Sequence, residues 1–115
     1  MQIKKEINNG EEMSQLNNVS VNPKANIYFD GKCISYTVIL ADDSRCTVGV
    51  IFNGVYKFNT DSAELMKLTS GKCRIKLLDT KEWVSYSQGQ EFSVPMNSSF
   101  DIEVFELLHY VCHYE

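Results

Sequence analysis

Residue types able to do chemistry are few in this sequence of 115 residues, and one carboxylate, Glu64, is the best placed of them. Tyr56, Phe58 and Thr60 precede it at every second position, and Phe100 follows the polar run Asn97-Ser98-Ser99. In an extended strand alternate residues share a face, so Tyr56 and Phe58 would point the same way. A second group, His109, Cys112 and His113, crowds the C-terminus. The residues around it read as strand, where four residues span roughly 13 Å, too far for two histidines to share one ion. Four cysteines, Cys33, Cys46, Cys73 and Cys112, form no closely spaced pair, so neither a zinc site nor a redox Cys-x-x-Cys is expected. Free, buried thiols are the expectation. No Gly-x-Ser-x-Gly elbow and no Walker-type phosphate loop occurs.

The elements that must position these residues read as β throughout. Residues 31–40 are rich in β-branched and aromatic types and predict a strand. Residues 46–52 and 55–60 predict two more, joined by Asn53-Gly54, which suits a tight type I′ hairpin. Residues 61–65 fit one helical turn capped by Thr60 or Asp61. Further strands are predicted over 72–78, 82–86, 91–95, 100–107 and 109–114, with breaks at Ser70-Gly71, Asp79-Thr80, Gln88-Gly89 and 96–99. Many short strands with turn residues between them predict an all-β sandwich or barrel. Residues 1–18, polar and rich in asparagine, are expected to be a flexible tail before a barrel over 19–115.

Composition narrows the function. A formal net charge of -4 argues against a general nucleic-acid binder, which needs a basic patch to displace counterions. The longest apolar runs, 38–41 and 48–52, are far too short to cross a bilayer, and no apolar stretch of signal-peptide length follows residues 1–6. A soluble, cytoplasmic protein is expected, with no membrane partner.

Two spacings resemble the motifs of cupin barrels, which are small double-sheet jelly rolls. Glu64 is followed after six residues by Gly71, and Gly89 after five residues by Pro95. Counting from these frames puts the cupin metal-binding histidine slots at Phe58, Thr60 and Phe100. Phenylalanine cannot ligate, so the spacing predicts a cupin-like double-stranded β-helix with no metal site. Two readings of the vacancy stand: an aromatic pocket, or Phe58 and Phe100 simply filling the barrel.

The residues then resemble one family in particular. Ala25-Asn26-Ile27-Tyr28-Phe29-Asp30-Gly31-Lys32, Val48-Gly49-Val50, Gly54-x-Tyr56-x-Phe58-x-Thr60, Glu64-x-Met66, Ser70-Gly71, Trp83, Gly89-x-x-Phe92-x-Val94-Pro95, Asn97-Ser98-Ser99-Phe100-Asp101-Ile102 and Tyr110-x-Cys112-x-Tyr114 are similar to the cupin-type pyrimidine/purine nucleoside phosphorylases. The resemblance implies attack of inorganic phosphate on C1′ of a nucleoside, with no cofactor, releasing a free base and ribose 1-phosphate. On that basis Glu64 is the expected catalytic carboxylate, holding ribose hydroxyls and stabilising charge on the sugar. Tyr56, Phe58, Thr60 and Phe100 are the expected substrate-binding residues, the aromatic ones stacking on the base. Lys32, Arg45, Asn97, Ser98 and Ser99, with the Thr60 hydroxyl, are the expected phosphate donors. Each has an ordinary alternative: a salt-bridged carboxylate, core packing, a solvated strand face, or only a loop. Trp83 reads as a packing or interface residue. Val55, where the family commonly has Glu, and Met96, where it often has Ala or Gly, depart from its pattern. A homodimer is the expected assembly. The alternatives in function are a non-catalytic cupin that binds a small metabolite, and a structural barrel built for self-association.

Overall fold

A computed structural model describes residues 15–115. They carry nine strands and no α-helix: β1 (Ser20–Val21), β2 (Asn26–Tyr28), β3 (Cys33–Ile39), β4 (Arg45–Ile51), β5 (Gly54–Thr60), β6 (Glu64–Leu77), β7 (Val84–Ser87), β8 (Glu91–Val94) and β9 (Ser98–Tyr114). All pair antiparallel in one sheet, folded over itself as a jelly roll. The cupin-like, all-β architecture is the expected one. Of the polar tail expected over 1–18, residues 1–14 lie outside those described. Leu16 packs with Val19 against an outer cluster of Val38, Cys46 and Val111.

The two layers come from long strands that each serve both. Residues 108–113 of β9 pair with β4, and residues 98–104 pair with β5. On its other edge β9 pairs with β6 nearly from end to end, Glu64 opposite Tyr114 and Leu77 opposite Phe100. The first part of β6 then carries β8 and the second part β7. Side chains from both layers meet in one core that includes Ile51, Met66, Leu68, Ile75, Phe100, Ile102, Val104 and Leu108. Each such fully buried aliphatic side chain contributes about 1.5–3 kcal/mol.

Three local expectations are corrected. Asn53-Gly54 is not a type I′ hairpin, because β4 and β5 do not pair with each other; they follow one another along the same edge of β9. Asn53 instead donates its side-chain amide to the Phe105 carbonyl, and Phe52 donates its backbone N–H to Lys32. The link therefore carries the chain from one layer to the other. Residues 61–65 form no helical turn: β6 begins at Glu64, and the Asp61 and Ala63 carbonyls accept from Asn97 and Glu115 at the two ends of β9. Finally, the expected break at Ser70-Gly71 lies inside β6, and the two strands expected over 100–107 and 109–114 are one continuous strand, β9.

Those two places are corners rather than breaks. The register slips between Leu68, Ser70, Lys72 and Cys73. Across it the buried positions of β6 change from Met66 and Leu68 to Cys73 and Ile75, from even to odd. Inserted residues bend a strand and flip which face points inward, which lets one strand line both layers. Gly71 sits at this corner at φ 98°, and a Cβ there would lie 2.2 Å from the Leu107 carbonyl oxygen. Gly71→Ala should lower stability by about 1–3 kcal/mol, read as a lower urea midpoint with an unchanged slope. An unshifted midpoint would mean that the corner has slack.

Candidate active site

A cavity of about 330 Å³ opens between the two layers, a volume at the lower end for small-molecule sites. Its inner wall is supplied by alternate residues of four strands: Cys33 and Ser35 from β3, Thr47 from β4, Glu64 and Met66 from β6, and Tyr110, Cys112 and Tyr114 from β9. Most of these are buried. At its outer side lie Tyr28 and Phe29, both exposed, and residues 57–59 of β5, which among the described residues pairs with β9 alone.

The wall is unusually rich in hydroxyl groups. Tyr114 Oη lies 3.2 Å from Thr47 Oγ1, and Tyr110 Oη lies 3.7 Å from Cys33 Sγ. Asn26 donates from its side-chain amide to Ser35 Oγ at 3.3 Å and to Thr37 Oγ1 at 3.1 Å. A hydroxyl can donate once and accept twice, so these partners leave capacity facing the cavity. Space for the wall depends on Gly49, which pairs with Ser35 on one side and Tyr110 on the other. A Cβ on Gly49 would fall 2.3 Å from the Ile34 carbonyl oxygen and 2.7 Å from Ser35 Cβ.

Glu64 joins this wall at the start of β6. Burial pushes its carboxyl above the ordinary value of 4.5, and a hydrogen bond from the Cys112 thiol partly offsets the shift. The reciprocal effect is large: burial first, then the Glu64 charge, pushes the Cys112 thiol up to about 12. Burial likewise raises both Tyr110 and Tyr114, so the wall presents neutral phenols and thiols around one ionisable carboxyl.

The expected site residues divide sharply. Glu64, Phe58 and Phe100 line the cavity, with Phe58 stacked on Phe100 at 5.6 Å between ring centroids and 20° between planes. Tyr56 stands behind them. Its hydroxyl shares its one hydrogen between the Phe52 carbonyl at 2.7 Å and the Asn53 carbonyl at 3.1 Å, and its ring props Phe29 at 5.0 Å. Arg45 reaches the edge of the site by lying over the Tyr114 ring, 4.5 Å from its centroid. Lys32 is exposed and does not line the cavity.

Thr60, Asn97, Ser98 and Ser99 are gathered elsewhere. The Thr60 hydroxyl donates to the Pro95 carbonyl at 2.7 Å and accepts from the Ser98 N–H at 3.0 Å. Asn97 N–H donates to Asp61, and the Ser99 carbonyl accepts from Leu78. These groups knit one end of the barrel and do not line the cavity. Trp83 packs under the Arg74 guanidinium, 4.3 Å from its ring centroid. Ser35, Thr47, Tyr110, Tyr114 and Phe29 went unassigned from sequence. The signal for the tyrosines was the alternation Tyr110-x-Cys112-x-Tyr114, which puts three polar-tipped or polarisable side chains on one inward face.

The sequence model of the pyrimidine/purine nucleoside phosphorylases matches residues 23–114. The chain belongs to this family. A pyrimidine/purine nucleoside phosphorylase of Cupriavidus taiwanensis is 57% identical over 104 residues, 90% of this chain and 99% of that protein. One of Methylobacillus flagellatus is 56% identical over 103 residues, 90% of this chain and 100% of that protein. Among solved structures, a protein of unknown function from Acinetobacter sp. ADP1 is 45% identical, with a TM-score of 0.85 over 88% of this chain and 98% of that one. HppE in its iron(II) form, only 8% identical, shares the fold alone, with a TM-score of 0.67 over 80% of this chain and 55% of that one.

Metal ligation of the cupin kind does not fit this family member's residues. Two of the three histidine slots are Phe58 and Phe100, and the third, the Thr60 hydroxyl, is engaged by Pro95 and Ser98. Among the described residues, no three His, Cys, Asp or Glu side chains gather closely enough to hold an ion.

The raised carboxyl of Glu64 has a consequence for stability. The folded protein holds that proton more tightly than the unfolded chain does. The stabilisation is therefore complete below about pH 4.5 and is lost as pH rises through the raised value. Glu64→Gln should thus melt higher than the unaltered chain near neutral pH, with the difference shrinking towards about pH 4. Thermal melts across that range test this. A variant that melts lower at neutral pH would show the carboxylate to be held by compensating partners.

Proposed function

We propose that this chain is a nucleoside phosphorylase acting on purine and pyrimidine nucleosides. A phosphate oxygen forms a bond to C1′ as the bond from C1′ to the base nitrogen breaks. The base leaves with that electron pair and takes up a proton, and ribose 1-phosphate remains. What carries the reading is Glu64, a lone ionisable carboxyl on a hydroxyl-lined cavity, in a member of the phosphorylase family.

Each part of the site has a task. The transition state places positive charge on the sugar ring, and a fixed carboxylate beside it is worth more in a partly buried site than in water. Ser35, Thr47, Tyr110 and Tyr114 offer donors and acceptors to ribose hydroxyls. Two cations are candidates to receive phosphate: Lys57, which lines the outer side of the cavity beside Asp101, and Arg45, which lies over the Tyr114 ring at its edge. No protein nucleophile and no metal ion enters the reaction, in keeping with the ligand slots at Phe58, Thr60 and Phe100.

Incubating the purified chain with uridine or adenosine and phosphate should release free base at a rate unchanged by prior chelator treatment. Loss of activity on chelation, restored by a divalent ion, would end the metal-free reading. Release of no base from any common nucleoside would end the enzyme reading. Glu64→Gln should lower turnover about a hundred-fold while the protein stays folded. Since Glu64 must be ionised to act, activity should fall on the acid side through a pH above 4.5, and that limb should vanish in the variant.

The enzyme is further proposed to work in the cytoplasm, as a homodimer joined through the outer face of β3, β4 and β9. Val21 and Tyr36 are exposed there, beside a groove whose floor of Val38, Val48 and Val111 is shared with Leu16 and Val19. Light scattering at micromolar concentration should give twice the chain mass, and Tyr36→Asp should halve it. A monomer in the unaltered chain would remove the dimer from the mechanism.

A further inference from the structure

The connection from β2 to β3 holds the least ordinary backbone among the described residues. Phe29, Asp30 and Gly31 follow one another at φ 52°, 56° and 90°, a left-handed turn closed by a hydrogen bond from the Lys32 N–H to the Phe29 carbonyl at 3.1 Å. Gly31 adopts such angles freely, but a bulky side chain such as phenylalanine is a true outlier there. Strain of this kind persists only where the surroundings fix it, and it collects at functional sites.

Burial does not account for it. The Phe29 ring leans on Tyr56 at 5.0 Å and meets Phe58 edge-on at 5.2 Å, yet the residue stays 41% exposed and lines the cavity. Tyr56 cannot yield, because its hydroxyl is tied to the Phe52 and Asn53 carbonyls. Phe58 is backed in turn by Phe100. The strained turn thus spends conformational freedom to hold one aromatic ring rigidly, half in water, at the outer side of a cavity whose inner wall is polar.

We propose that Phe29 is the platform on which the nucleobase stacks, with the ribose turned inward towards Glu64 and the hydroxyl wall. This rests on the nucleoside phosphorylase reading of the cavity and adds the orientation of the substrate within it. It also gives a physical origin for broad base tolerance. A base stacked at an exposed mouth keeps its polar edge in water, and every base has a π-face. Strong discrimination arises where buried polar groups are left unpaired by the wrong substrate. Here such groups lie on the inner wall, so the enzyme reads the sugar and not the base.

The test compares the unaltered chain with Phe29→Leu, Phe29→Trp and Phe29→Gly, at saturating inorganic phosphate, with adenosine and with uridine, alongside thermal melts. Phe29→Leu keeps an apolar side chain against Tyr56 and Phe58 but has no π-face. Its KM should rise about five-fold or more, further for adenosine than for uridine, with kcat little changed. Phe29→Trp should keep the KM for adenosine near that of the unaltered chain. Phe29→Gly should share the KM defect, the relief of backbone strain at this φ offsetting part of the packing lost against Tyr56 and Phe58 in the melt. An unchanged KM for both nucleosides in Phe29→Leu, or a loss confined to kcat, overturns the platform. Should the unaltered chain itself release no base, the reading of the cavity fails with it, and the two failures are thereby told apart.

Discussion

β9 is hydrogen-bonded along both edges, to β4 and then β5 on one side and to β6 on the other. Because β9 and β6 both pass a corner, the same pair of strands lies at the centre of each layer. The corner in turn depends on a single position without a side chain, Gly71 against the Leu107 carbonyl. Placing β4 and β5 end to end along one edge leaves β5 without a second partner among the described residues, and the cavity opens beside that edge. Closure of the barrel and access to the site are therefore consequences of one pairing scheme.

The two ends of the interior are built from different chemistry. Around β5 and the second half of β6 the inward residues are hydrocarbon and aromatic: Ile75, Phe100, Ile102, Val104. Around β3, β4 and the last part of β9 they are small or polar: Cys33, Ser35, Thr47, Gly49, Tyr110, Cys112. The first set packs to density and supplies stability. The second set does not fill its space, and its hydroxyls need partners that the protein only partly supplies. Glu64 belongs to this second set. A carboxyl that burial holds above its ordinary value opposes folding at neutral pH.

Much of this was legible in the sequence because strand alternation is a strong signal. Most strands from Cys33 onward, the all-β class and the shared face of Tyr56 and Phe58 follow from a period of two. The cavity positions of Glu64 and Phe100 come instead from the motif spacing, and the first half of β6 is not foreseen. What failed was local turn chemistry set against non-local pairing. Asn53-Gly54 has the composition of a hairpin, but β9 offers an edge long enough for both flanking strands, and those hydrogen bonds decide the path. Ser70-Gly71 looks like a break because a sequence pattern does not distinguish a chain that stops from one that bends. Thr60 and the Asn97-Ser98-Ser99 run look like ligand donors because their polarity is visible, whereas their partners at Pro95, Asp61 and Leu78 are set only by the tertiary fold. Phe29 gave no warning at all. Its significance lies in a backbone angle that phenylalanine ordinarily avoids.

The position of β9 in chain order has a further consequence. It follows every other described strand, yet among the described residues β5 pairs with β9 alone, and β9 and β6 are the strands that run through both layers. During synthesis the preceding described strands can form no more than local pairs, β1, β2 and β4 on β3, and β7 and β8 on β6. The core closes only once the final strand is available to slide between them. Folding must therefore be a late, all-or-none event dominated by contacts distant in sequence, slow for a chain of this size. Until that moment the apolar faces of β4, β5 and β6 stand open to one another's copies in neighbouring chains, the interval in which aggregation competes with folding.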